Sequence, residues 1–204
     1  MTEVRIEPQI EPHLRVQTEP YPGVQLGLLT GPVGVGKTTV AERVVGLARR
    51  QGLLCGGLLA PAMMNACGQK AGIWGVNISG GERRILARTD RALDGPAVGP
   101  YSFDEAALAW ATGVVDSAIG TCELLVVDEI GKLELERGLG LAPILPRLAA
   151  GQAPRSLVLV RDYLLTKLQG RLESVEWMVF EVSEQNRGEL PPHVLRHLLV
   201  GAES

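Results

Sequence analysis

This chain is poor in cysteine, in net positive charge and in long apolar runs, and each shortage excludes something. Its three cysteines (Cys55, Cys67 and Cys122) are odd in number and lack any C-x-x-C spacing. That argues against a disulfide framework or a zinc site and for reduced, buried thiols. A net charge of −3 offers no broad basic surface to nucleic acid or an anionic membrane. The pairs Arg49-Arg50 and Arg83-Arg84 are too short for a nucleic-acid stripe. No apolar run approaches the roughly 20 residues that cross a bilayer. Met1 to Pro20 is polar and studded with Glu-Pro pairs, which reads as an extended arm and not as a secretory leader. A cytoplasmic location is the expectation. His193 and His197 stand four apart, on one helix face as metal ligands could, but no third ligand accompanies them and solvent exposure is expected.

What is present is more pointed. An apolar run from Val24 to Leu29 leads into Gly31-Pro32-Val33-Gly34-Val35-Gly36-Lys37-Thr38-Thr39, which matches G-x-x-x-x-G-K-T. A strand, a glycine-rich turn and a helix N-terminus in that order form a P-loop. Backbone N–H groups and the helix dipole face an anion, the lysine reaches the β- and γ-phosphates, and the threonine hydroxyl ligates Mg²⁺. A nucleoside triphosphate is the implied ligand.

The rest of the chain alternates strand and helix patterns. Helical spacing runs to about Arg50, and Leu53 to Ala60 reads as a buried strand with Gly56-Gly57 permitting close packing or ligand approach. Ala71–Ile78 and Arg83–Arg88 read as a β-hairpin around Ser79-Gly80-Gly81. Ser102-Phe103-Asp104-Glu105 has the form of a capping box before a helix. Leu124 to Val127 suits a parallel strand, and Leu139 to Ala149 a helix broken by Pro143 and Pro146. Ser156–Val160 and Val175–Val182 are further strands, with Asp162 a candidate cap and Pro191 opening a terminal helix. The expectation is an α/β chain: a Glu/Pro arm over residues 1–20, then one domain over 21–204. That domain is a three-layer P-loop NTPase fold with a mostly parallel sheet, helices on both faces and a small β-hairpin insertion.

Asp128-Glu129 ends the 124–127 run. An aspartate at the carboxyl end of a buried strand can hold Mg²⁺ with Thr38, and the adjacent glutamate stands where a water would attack the γ-phosphate. Hydrolysis also wants a cation on the γ-phosphate. Arg83, Arg84, Arg88 and Arg161 are candidates, Arg161 first because ligands sit beyond strand carboxyl ends; a surface ion pair is the ordinary role for each. Asn186-Arg187 follows the last strand, where it contacts the base or simply forms a turn. Trp74 and Trp110 read as core, Glu134 and Glu136 as surface.

These residues resemble one family, the small single-domain nucleoside-triphosphatases first known from thermophiles and also called cancer-related nucleoside-triphosphatases. The resemblance is carried by Gly31–Thr39, Gly56-Gly57-Leu58, Gly72-Ile73-Trp74-Gly75 with Gly80-Gly81-Glu82-Arg83, Gly95–Tyr101, Val127–Leu135 and Phe180–Arg187, and it spans about residues 24–200. It implies hydrolysis of nucleoside triphosphates to diphosphate and phosphate with Mg²⁺ and loose base preference. Lys37 and Thr38 then take phosphate and metal roles, and Asp128 and Glu129 metal and water roles. Departures are Val33, where the family usually has proline, and Pro61–Lys70, which lacks the usual charge and could alter a lid or partner surface. The arm has no clear counterpart. A P-loop kinase and a nucleotide-gated accessory protein of a metal or cofactor pathway stay as alternatives, and a protein partner stays open.

Overall fold

The computed structural model describes residues 25–153 and 155–199; the arm expected over 1–20 lies outside them. Strand β1 (Gln25–Thr30) runs into the glycine-rich loop and α1 (Lys37–Arg50). Then come β2 (Cys55–Leu59), β3 (Ala62–Met64), β4 (Lys70–Asn77), β5 (Arg83–Arg88), β6 (Ala97–Val98), β7 (Tyr101–Phe103) and α2 (Glu105–Ala118). The chain continues through β8 (Leu124–Ile130), α3 (Lys132–Arg137), a 3₁₀ turn at Ala142–Ile144 and α4 (Leu145–Ala149). It closes with β9 (Arg155–Val160), a 3₁₀ turn at Asp162–Leu164, α5 (Leu165–Gln169), β10 (Trp177–Glu181) and α6 (Leu190–Leu199).

All the strands join one sheet in the order β10-β1-β9-β8-β2-β4-β5-β7-β6, with β3 paired to β4. From β10 to β2 the pairing is parallel; from β2 through β4 onward it is antiparallel. Period-two alternation sends side chains to two cores. Leu125, Val127, Val158 and Val160 face α2, α4 and α5, whereas Leu124, Val126, Leu157 and Leu159 face α1 and α6. Both faces of β8 and β9 are therefore dry, which is why these strands read as unbroken apolar runs.

Gly57 (φ +102°) lets β2 sit tight against β8, since a Cβ there would collide with the Val126 carbonyl oxygen. A Cβ on Gly56 would come within 2.9 Å of Ala118. The glycine pair thus serves packing and not ligand approach.

Several local expectations differ. Ser102 lies in β7, so Asp104 caps α2 instead, its carboxylate accepting from Ala107 N–H at 2.7 Å. Ser102 is unavailable because its backbone pairs with Ala97 and Arg88, while its hydroxyl oxygen accepts from Leu93 N–H at 2.8 Å. The hairpin is joined by three further short strands, β3, β6 and β7, and Pro61–Lys70 forms a turn of its own in which Asn65 Oδ1 accepts from the N–H groups of Cys67 and Gln69. Asp162 opens its 3₁₀ turn from within, bonding Tyr163 N–H, and does not cap it. Of the cysteines only Cys55 is buried; Cys122 is half-buried and Cys67 exposed.

Candidate functional site

The loop from Gly31 to Gly36 curls because its glycines stand at φ +143° (Gly31), +82° (Gly34) and +108° (Gly36), values that L side chains rarely adopt. A Cβ on Gly31 would also meet the Val182 carbonyl oxygen at 2.7 Å. Pro32, Val33 and Gly34 form the exposed crown, Val35 packs inward, and Lys37 opens α1. Lys37 is buried, its ammonium donating to the carbonyls of Gly31 (2.8 Å) and Pro32 (3.1 Å). Burial lowers its pKa, and the nearby charges of Glu129 and Asp128 oppose that fall. Thr38 is half-buried and Thr39 exposed on the first turn of α1.

The end of β8 brings the two acids to this loop. Asp128 is 3% exposed and accepts from Ala60 N–H at 2.9 Å. Burial pushes its pKa up to about 7, against the hydrogen bonds from Ala60 and the Thr38 hydroxyl. The Asp128-Glu129 peptide bond is cis. Glu129 is paired with Arg161 at the end of β9, Arg161 Nε donating to Glu129 Oε1 at 2.7 Å, and both side chains are about three-quarters buried. Burial works against the charge on Arg161, but Glu129 and the hydrogen bond to Tyr163 raise its pKa overall. Lys37, Thr38, Asp128, Glu129 and Arg161 are thus gathered at the carboxyl ends of β1, β8 and β9.

Arg187 also reaches the loop, Nη1 donating to the Val35 carbonyl at 3.4 Å, with its Cδ close over Gly36. Asn186 does not join it. Its Oδ1 accepts from Ser183 N–H and its amide nitrogen donates to the Glu181 carbonyl, so the side chain braces the turn before α6.

The other arginines go elsewhere. Arg84 pairs with Glu82 and lies over Trp110, Arg88 pairs with Asp90, and Arg83 lies over Trp74. The two tryptophans are half-buried under these guanidinium groups. His193 is exposed, whereas His197 is half-buried edge-on to Phe180, and burial lowers its pKa.

Glu136 is exposed as expected, but Glu134 is not a surface residue. It is 7% exposed, accepting from Gly131 N–H at 2.8 Å and Leu141 N–H at 3.3 Å, and burial pushes its pKa up to about 7. Its place three residues after Gly131, where a carboxylate folds back on the start of α3, was the available signal.

Among the described residues no group of three or more His, Cys, Asp or Glu could hold a metal ion. A hard cation here would take Thr38 and Asp128 oxygens and complete its shell from phosphate and water.

A family model described as NTPase matches residues 27–195. Curated relatives include the nucleoside-triphosphatase THEP1 of Methanopyrus kandleri, 30% identical over 173 residues (84% of this chain, 94% of that one). That of Hyperthermus butylicus is 32% identical over 171 residues (82% and 87%). The crystal structure of THEP1 from Aquifex aeolicus aligns with TM-score 0.68 at 18% identity, over 85% of this chain and 98% of that one, and has the same fold.

Proposed function

This chain belongs to the nucleoside-triphosphatase family, and from that premise we infer that it hydrolyses nucleoside triphosphates to diphosphate and phosphate. The observation that carries the reading is the meeting of the P-loop with Asp128 and Glu129 at one end of the sheet. Transfer to an acceptor would not require Glu129, so the alternative kinase reading gains no support from that residue.

In this reading the N–H groups of Gly31 to Thr39 and the start of α1 hold the phosphate chain, and Lys37 leaves the loop carbonyls for the β- and γ-oxygens. Glu129 orients water for in-line attack and accepts its proton. Arg161 faces the γ-phosphate with the guanidinium N–H groups that Glu129 does not use. Arg187, whose Cδ lies close over Gly36, stacks on the base in this reading, and Asn186 keeps one amide hydrogen for it while the rest of its amide braces the turn before α6. The donor set fits Mg²⁺, because Thr38 and Asp128 offer hard oxygens and the Asp128 carboxylate is costly to ionise without a cation beside it. Mg²⁺ bound at that pair would supply positive charge to offset that developing on the phosphate oxygens.

No helix among the described residues is long and apolar enough to cross a membrane. A cytoplasmic setting is part of this reading, as is the site's independence of nucleic acid.

The test is Glu129→Gln. It should bind nucleotide as the parent does and lose roughly 10²-fold or more in phosphate release, the scale of a lost general base. Turnover at the parent rate would remove Glu129 from the mechanism.

A further inference from the structure

Tyr163 is among the most exposed large side chains, at 55%, yet both its polar and its apolar parts are engaged. Its hydroxyl oxygen accepts from Arg161 Nη1 at 3.2 Å. Its ring faces the ammonium of Lys132, 5.7 Å from the centroid. Arg161 in turn holds Glu129 through Nε. One ion pair at Nε leaves a guanidinium free to swing about that contact; a second bond at Nη1 defines its plane and leaves its remaining N–H groups aimed in one direction.

The placement in the chain adds to this. Glu129 and Lys132 bracket the passage from β8 into α3, while Arg161 and Tyr163 bracket the passage from β9 into its 3₁₀ turn. β8 and β9 are neighbours, with Ile130 opposite Val160. Tyr163 therefore touches both segments, the ring on one and the hydroxyl on the other.

We propose that Tyr163 is a positioning residue for the hydrolytic reaction, fixing the Arg161 guanidinium against Glu129 and tying the ends of β8 and β9 into one unit; this rests on the function inferred above. Such exposed contacts contribute little to stability, so their purpose is orientation, and small misplacements of a catalytic group are felt strongly in rate.

Tyr163→Phe keeps the ring over Lys132 and removes the hydroxyl. Phosphate release should show kcat falling about tenfold with KM unchanged. In an Arg161→Ala background the same substitution should cost nothing further, because the two act as one unit. Nitrogen-15 spectra of the arginine side chains in the nucleotide-free protein should show faster rotation of the Arg161 guanidinium in Tyr163→Phe. An unchanged kcat, a rise in KM alone, or an undiminished loss in the Arg161→Ala background would overturn the proposal. Should the parent release no phosphate, the hydrolytic reading fails separately, and unchanged Arg161 rotation in the variant overturns the tie by itself.

Discussion

The two halves of the sheet are built on opposite terms. From β10 to β2 the strands are parallel, and the inner ones are enclosed by helices on both faces; β2 and β9 are buried along almost their whole length. From β4 to β6 they are antiparallel, and α2 is the main helix packed on them, so most of their positions are half-exposed. On this flank cations cover aromatic rings of the strands and of α2: Arg83 over Trp74, Arg84 over Trp110, Lys70 over Tyr101. At the strand ends of the parallel half Arg161 meets the Glu129 carboxylate with both side chains about three-quarters buried, whereas the flank pair of Arg84 with Glu82 is about half-exposed. A buried parallel strand must end in a loop beyond the helices, and polar groups converge there. The contrast teaches that the parallel half brings charged groups together at its strand ends, while the flank uses the same residue types to finish a surface.

The join between the halves is the place to break this most severely. Gly57→Ala forces a side chain into the Val126 carbonyl at a left-handed backbone position, and should cost about 3 kcal/mol or more in urea unfolding. A loss under about 1 kcal/mol, the size of an ordinary surface change, would show that β2 can shift against β8 and that the halves are loosely coupled.

A smaller, pH-dependent effect belongs to Glu134. Burial lifts its pKa from the ordinary 4.5 to about 7. Between those values the unfolded chain has released a proton that the folded chain still holds, so its stability falls as pH rises from about 4.5 to about 7 and levels beyond. Glu134→Gln removes that titration. The difference in unfolding free energy between variant and parent should therefore grow across the window, by about 3 kcal/mol at most. A difference independent of pH would mean that Glu134 ionises as freely folded as unfolded.

Least should happen in the flank. Arg83→Ala and Arg84→Ala should leave phosphate release within about twofold of the parent, since both guanidinium groups cover tryptophans away from the P-loop. A large loss of turnover in either would place the flank at the nucleotide and erase the contrast.

Legibility in the sequence followed the same division. β8 and β9 were evident because two dry faces demand continuous apolar residues. The P-loop was evident because its chemistry is held in nine adjacent positions. The flank was only partly evident: β4 and β5 showed as a hairpin, but β3, β6 and β7 have two or three residues each, too few for a period to register. Ser102 misled because a serine before an acidic turn looks like a cap whether or not its backbone is already paired in a strand. Glu134 misled because a glutamate is rarely buried unless its oxygens are met, and one of its donors, Leu141 N–H, arrives from beyond the end of α3.

By itself the sequence determined that this protein carries a P-loop pattern at Gly31–Thr39 and an acidic pair at the end of an apolar strand, since both are local patterns whose residues need no partner to be recognised. Tertiary structure alone decided that Arg161 meets Glu129, that Arg187 and not Asn186 lies over the loop, and that Tyr163 spans two strand ends. Those outcomes depend on β9 lying between β1 and β8 and on β10 lying beside β1, an order set by how helices cover both faces and not by any one stretch of the chain.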